Sequence, residues 1–159
     1  MCYTQFSIMR LKSPKDIARL RAAGRLVAEC FAILEENVKP GVSLKHLDQL
    51  VENHIYKIGA EPLYKGYRGS GREHPPFPGV ICASVNHEIY HGIPDNRVLA
   101  EGDIVGIDIG LRLKGYCGDA CVTYPVGQVA PHVERLLTIG REALHRGIEA
   151  AQYNNHLND

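Results

Sequence analysis

The chain of 159 residues is long enough to bury one sizeable core and is most simply a single domain, 1–159. Lys plus Arg and Asp plus Glu balance at 18 each, so no nucleic-acid surface is expected, and no apolar run approaches the length of a membrane span. With 23% charged and 45% hydrophobic residues, the composition is ordinary for a globular protein.

The opening stretch, MCYTQFSIMRLKSPKD, lacks the basic segment and apolar core of a secretory signal, and a cytoplasmic location is expected. Five cysteines, Cys2, Cys30, Cys82, Cys117 and Cys121, are scattered and odd in number, which argues against a disulfide framework. Cys117 and Cys121 are spaced too widely for a CxxC pair, and in extended structure they flank Asp119 on its own face. Free thiols are favoured there over a soft-metal site.

Ser13-Pro14-Lys15-Asp16 reads as a helix start: a capping hydroxyl, a proline suited to the first helical position, and an acid at the positive end of the dipole. Ile17, Leu20, Gly24, Val27, Phe31 and Leu34 then recur at helical spacing to about Asn37. Lys39-Pro40-Gly41 ends this helix. Ser43 caps a second one, with Leu44, Leu47, Val51, Ile55 and Ile58 on its apolar face and Gly59 at its end.

Tyr64 to Gly79 is rich in glycine and proline and reads as a loop, either a surface excursion or the border of a binding site. Val80 to Val85 reads as a short buried strand. His87-Glu88-Ile89-Tyr90-His91 matches the zinc-protease pattern HExxH in letters only. That pattern needs a helix, and here a strand precedes it and Gly92-Ile93-Pro94-Asp95 breaks structure after it.

Gly102 to Gly127 reads as a β-hairpin with arms Asp103–Leu113 and Tyr116–Val126 turning at Lys114-Gly115. An even turn sets Leu113 opposite Tyr116, Gly110 opposite Asp119 and Asp108 opposite Cys121. Asp108 and Asp119 then share a face as diagonal neighbours. Two carboxylates so placed repel unless solvated, protonated or bridged by cations, and the residues alone leave solvated aspartates and a two-metal site both open. A three-residue turn would put them on opposite faces. From Ala130 a third helix begins, with Val133, Leu136, Leu137, Ala143, Leu144 and Ile148 on its apolar side, and 153–159 form an irregular tail.

IDIGLRLKGYCGDACVTYPVG, with SVNHEIYHGIPD upstream, resembles type I methionine aminopeptidase, and the resemblance runs from about Leu11 to about Ala151. It implies an α+β fold, the N-terminal half of the pita-bread fold shared with prolidases and creatinases: a twisted antiparallel sheet with two helices before it and one after. It implies that Asp108 and Asp119 are metal ligands for two divalent metal ions (Co, Mn, Fe or Zn), Asp119 bridging both. The family's other ligands, a histidine and two glutamates, belong to its second half. It implies that His91 is catalytic and touches substrate near the scissile amide. Tyr64, Tyr67, Phe77 and Cys82 would line the pocket for a methionine side chain, although the stretch from Tyr67 to Cys82 is longer than usual for the family.

The implied function is removal of the N-terminal methionine from nascent polypeptides, the partners being N-terminal methionyl peptides. No histidine and glutamate pair follows Asp119 on a strand. The chain is therefore expected to be truncated and inactive alone, with a separate C-terminal half as a candidate partner. The rival reading is a non-catalytic peptide- or protein-binding module derived from the same fold.

Overall fold

The computed structural model of the protein describes residues 11–69, 75–156 and 158; Cys2, the 70–74 part of the expected loop, and two tail residues lie outside them. Helix α1 (Pro14–Asn37) starts on a reciprocal cap: Ser13 Oγ accepts the Asp16 N–H at 3.2 Å, and Asp16 Oδ2 accepts the Ser13 N–H at 3.0 Å. The face that α1 buries is Ala23, Val27, Cys30 and Leu34. This corrects the expected stripe at two places, since Gly24 is exposed and Ile17 is 44% exposed. The reason is a close helix–strand approach, in which a Cβ on Gly118 would lie 2.8 Å from the Ala23 carbonyl. The bare Gly118 backbone lets the Ala23 turn of α1 sit directly on the sheet.

Helix α2 (Leu44–Lys57) is capped by the Ser43 hydroxyl and followed by Gly59 at φ +70°, a left-handed conformation that glycine takes freely. It buries Leu44, Leu47, Val51 and Ile55, and with them Asp48. Asp48 Oδ1 accepts the backbone N–H groups of Val80 and Ile81 at 2.7 and 3.0 Å, which ties the helix to the start of the second strand.

Strand β3 (Ile104–Leu113) is the centre of a four-stranded antiparallel sheet. Strand β4 (Tyr116–Pro125) pairs with it along one edge. On the other edge β2 (Ile81–Val85) pairs with 105–109 and β1 (Glu61–Pro62) with 111–112. The β3–β4 turn has Lys114 at φ +48° and Gly115 at φ +85°, the two positive angles of a tight hairpin turn. The register is therefore the even one: Gly110 faces Asp119 and Asp108 faces Cys121. β1, only Glu61-Pro62, is too short to carry a period and leaves no signal in the sequence.

One sheet face, with Ile81, Ala83, Val85, Val105, Ile107, Ile109 and Leu111, is wholly buried in a single cluster with the inward sides of α1 and α2. Each large aliphatic side chain there contributes about 1.5–3 kcal/mol. The other face carries Cys82, Ser84, Asp108, Asp119 and Cys121. Helix α3 (Pro131–Ala150) has no side-chain cap and buries none of its residues. Its apolar side stands off β4 across an open groove lined by Ile104, Val122, Leu136, Leu137 and Leu144.

Candidate active site

Alternation along β3 and β4 brings Asp108 and Asp119 onto the face that the core does not use, and a third side chain joins them. The Tyr64 hydroxyl lies 2.9 Å from Asp108 Oδ1 and 2.7 Å from Asp119 Oδ2. The two carboxylates thus converge on one point. Gly110 between them makes this possible, because a Cβ there would lie 2.9 Å from the Tyr64 ring and 2.8 Å from Asp119 Oδ2. The family resemblance implies Tyr64 in a pocket wall but not this contact; the glycine opposite Asp119 is the one feature of the sequence that allows a ring to cross the strand there.

Asp108 is half-buried, and this burial raises its pKa. Repulsion from Asp119 works in the same direction, while the Tyr64 hydrogen bond and the nearby His91 oppose it. Cys82 sits opposite Asp108 on β2, and burial followed by the neighbouring Asp108 charge pushes its thiol up to about 12. Cys121, opposite Asp108 on β4, is raised by desolvation as well. Both thiols are therefore neutral at ordinary pH, and they present sulfur rather than charge to the site.

Beside the carboxylates is a cavity of about 480 Å³ lined by Leu63, Tyr64, Tyr67, Phe77, Cys82 and His91. It gathers every residue expected on the substrate side. The loop that supplies Tyr67 and Phe77 is closed at its neck: the Gly66 N–H donates to the Phe77 carbonyl at 2.9 Å and the Phe77 N–H to the Tyr67 carbonyl at 2.8 Å. These bonds keep Phe77 at the wall despite the length of the 64–79 stretch.

His91 follows β2 in a tight turn, at φ +59° with its ring edge-on to Tyr90 at 4.6 Å. Residues 87–91 are not helical, so the HExxH letters have no zinc-site geometry. The turn is held by Gly92. Its N–H donates to Ser84 Oγ at 3.1 Å, its carbonyl accepts the Ala83 N–H at 2.9 Å, and a Cβ there would lie 2.2 Å from the Ala83 carbonyl oxygen. Ser84 and Gly92 thereby fix the turn that carries His91; the sequence marks Gly92 only as part of the break after His91 and gives no sign of Ser84.

Two hard oxygen donors converging from adjacent strands suit a divalent cation. Among the described residues no group of three or more His, Cys, Asp or Glu is placed to hold one, so the pair is a partial donor set.

The site is thus a carboxylate pair on the open face of an antiparallel sheet whose other face is backed by two helices. Metallopeptidase family M24 matches residues 18–159, and the chain belongs to that family. Methionine aminopeptidase 1 of Bacillus subtilis is 45% identical over 148 residues, 93% of this chain and 57% of the relative. The methionine aminopeptidase of Helicobacter pylori is 42% identical over 149 residues, 94% and 56%. The crystal structure of methionine aminopeptidase from Rickettsia prowazekii superposes with a TM-score of 0.81 at 38% identity, covering 87% of this chain and 53% of that one. The architecture is the α+β N-terminal half of the pita-bread fold, and the chain spans about half the length of the curated relatives it matches.

Proposed function

We propose that the chain carries the carboxylate and substrate-side portion of a methionine aminopeptidase site, acting in the cytoplasm on N-terminal methionyl peptides. The observation that carries this reading is the convergence of Asp108 and Asp119 on one point beside an apolar cavity that ends at His91. In this reading Asp108 and Asp119 are the residues that would hold the divalent ions. Cations bound there supply Lewis acidity to a peptide carbonyl and to the attacking water.

The protein's own residues do the rest. The cavity falls within the usual size of small-ligand sites, roughly 300–1,000 Å³. Tyr67, Phe77 and the neutral Cys82 offer polarisable apolar surface suited to a flexible thioether. The rigid turn at Gly92 holds the His91 ring at the cavity wall, where a ring N–H can donate to the oxygen of the scissile amide and stabilise its developing charge.

The partial donor set favours, as the second reading, peptide binding without turnover by this chain alone. Methionyl-tripeptide hydrolysis with added Mn²⁺ or Co²⁺ tests the two. No turnover is expected from the chain by itself, and turnover is expected on mixing it with a polypeptide carrying the remaining half of the Bacillus subtilis relative. An inactive mixture in which the chain still binds the peptide would favour the binding module.

A further inference from the structure

Tyr64 does more at the site than wall the cavity. Its hydroxyl oxygen, 2.9 Å from Asp108 Oδ1 and 2.7 Å from Asp119 Oδ2, stands where a cation shared by both carboxylates would stand. A cation held by these same two carboxylate oxygens would compete with the phenol for the space between them. A phenol carries one proton, so it serves one carboxylate at a time and neutralises neither.

The ring is held in this position from two sides. Beneath it, Gly110 leaves the space that a Cβ would close. Along the chain, the Leu63 N–H donates to the Gly110 carbonyl at 3.0 Å, the Tyr67 N–H donates to the Tyr64 carbonyl at 2.9 Å, and Lys65 pairs with Glu52 on α2. Backbone and neighbours are thus anchored while the ring itself borders the cavity of about 480 Å³. That cavity is the space into which the ring can move.

We propose that Tyr64 is a gate on the carboxylate pair: its hydroxyl links Asp108 and Asp119 while no cation is held, and its ring withdraws toward the cavity when one binds. This rests on the reading of Asp108 and Asp119 as a cation site. The cation then has to displace the phenol hydrogen bond before it gains both carboxylates, so Tyr64 lowers cation affinity. A substitution that removes only the hydroxyl should raise it.

Mn²⁺ binding followed by electron paramagnetic resonance of the free ion, for the chain and for Tyr64→Phe, tests the gate. Loss of one hydrogen bond to a charged group should tighten Mn²⁺ binding roughly tenfold, about 1.4 kcal/mol. A second readout needs no affinity comparison. In protein labelled with ¹³C in its tyrosine rings, the signal missing from Tyr64→Phe should move as Mg²⁺ is added to the chain, and should stay fixed in Asp108→Asn. Equal or weaker Mn²⁺ binding by Tyr64→Phe, or a Tyr64 signal unmoved at saturating Mg²⁺, overturns the gate alone. No Mn²⁺ binding by either protein overturns the cation site and the gate together.

Discussion

Gly110 faces Asp119 across the β3–β4 ladder, and the missing side chain of Gly110 is what lets the Tyr64 ring lie over the strand and reach both carboxylates. The atoms a Cβ would meet, Asp119 Oδ2 at 2.8 Å and the Tyr64 ring at 2.9 Å, belong to side chains that can give way. Gly110→Ala is therefore expected to fold with a loss of about 1 kcal/mol, at the low end of overpacking costs, while dislodging the Tyr64 hydroxyl. Urea unfolding gives the first quantity and tyrosine difference absorbance the second. An unchanged tyrosine spectrum would mean that the ring does not depend on Gly110.

Gly92 and Gly140 should respond in opposite ways to the same change. At Gly92 an added Cβ meets the Ala83 carbonyl oxygen at 2.2 Å, and that atom is backbone in the core of the sheet. Gly92→Ala should cost about 3 kcal/mol or more and turn His91 away from the cavity. Gly140 lies mid-helix in α3 with nothing within 4 Å, so Gly140→Ala should stabilise by about 0.5–1 kcal/mol. Denaturant midpoints measure both, and a tolerated Gly92→Ala would contradict the turn geometry.

Two aspartates should titrate on opposite sides of the usual carboxylate value. Asp16 is held down to about 2 by the hydroxyls of Ser13 and Tyr116 and by the Ser13 N–H. Its folded pKa lies below its unfolded one, so its contribution to stability is present above about 3.8 and is lost as the pH falls through about 2. Asp48 is pushed up by burial, against the hydrogen bonds from Ile81 and Val80. Its folded pKa lies above its unfolded one, so its contribution is full below about 3.8 and is lost as the pH rises through the raised value. Carboxyl ¹³C shifts should show Asp16 ionising first as the pH rises and Asp48 after it; the reverse order would contradict this. Asp48→Asn keeps an acceptor for Val80 and Ile81 and should flatten the acid-side slope, whereas Asp48→Ala leaves two buried donors unpaired at about 1–3 kcal/mol each.

The thiols should alkylate in an order set by burial. Cys117 is exposed, while Cys30 is buried with its thiol pushed up to about 11 by desolvation. Cys82 is buried and raised to about 12 by desolvation and the Asp108 charge. Iodoacetamide at pH 7.5, about the range where an unperturbed thiol is partly ionised, should label Cys117 before Cys121 and leave Cys82 and Cys30 to the last. Peptide mass mapping follows each site. Early labelling of Cys82 would mean that the cavity wall is open and wet.

Much of this arrangement is legible in the residues because local chemistry decides it. Lys114-Gly115 sets the hairpin register and with it the face shared by Asp108 and Asp119, and Ser13 and Ser43 mark both helix starts. What is not legible depends on non-local approach. The buried stripe of α1 includes Ala23 and leaves out Gly24 because Gly118, far along the chain, admits the helix at that turn. Asp48 interrupts the apolar face of α2, and nothing near it in sequence announces the Val80 and Ile81 donors. The Tyr64 contact requires knowing where an irregular segment lies against β3, which periodicity does not report.

The proposed function stands on Asp108 and Asp119 holding a divalent cation together. Paramagnetic broadening by Mn²⁺ in ¹⁵N-labelled protein tests it most directly, because the ion itself marks where it sits. At low Mn²⁺ the amide signals of Asp108 to Gly110 and Asp119 to Cys121 should disappear first, and Asp108→Asn with Asp119→Asn should abolish that effect. Broadening that instead centres on the exposed acids of α3, Glu134, Glu142 and Glu149, or that persists unchanged in the double variant, would contradict the account.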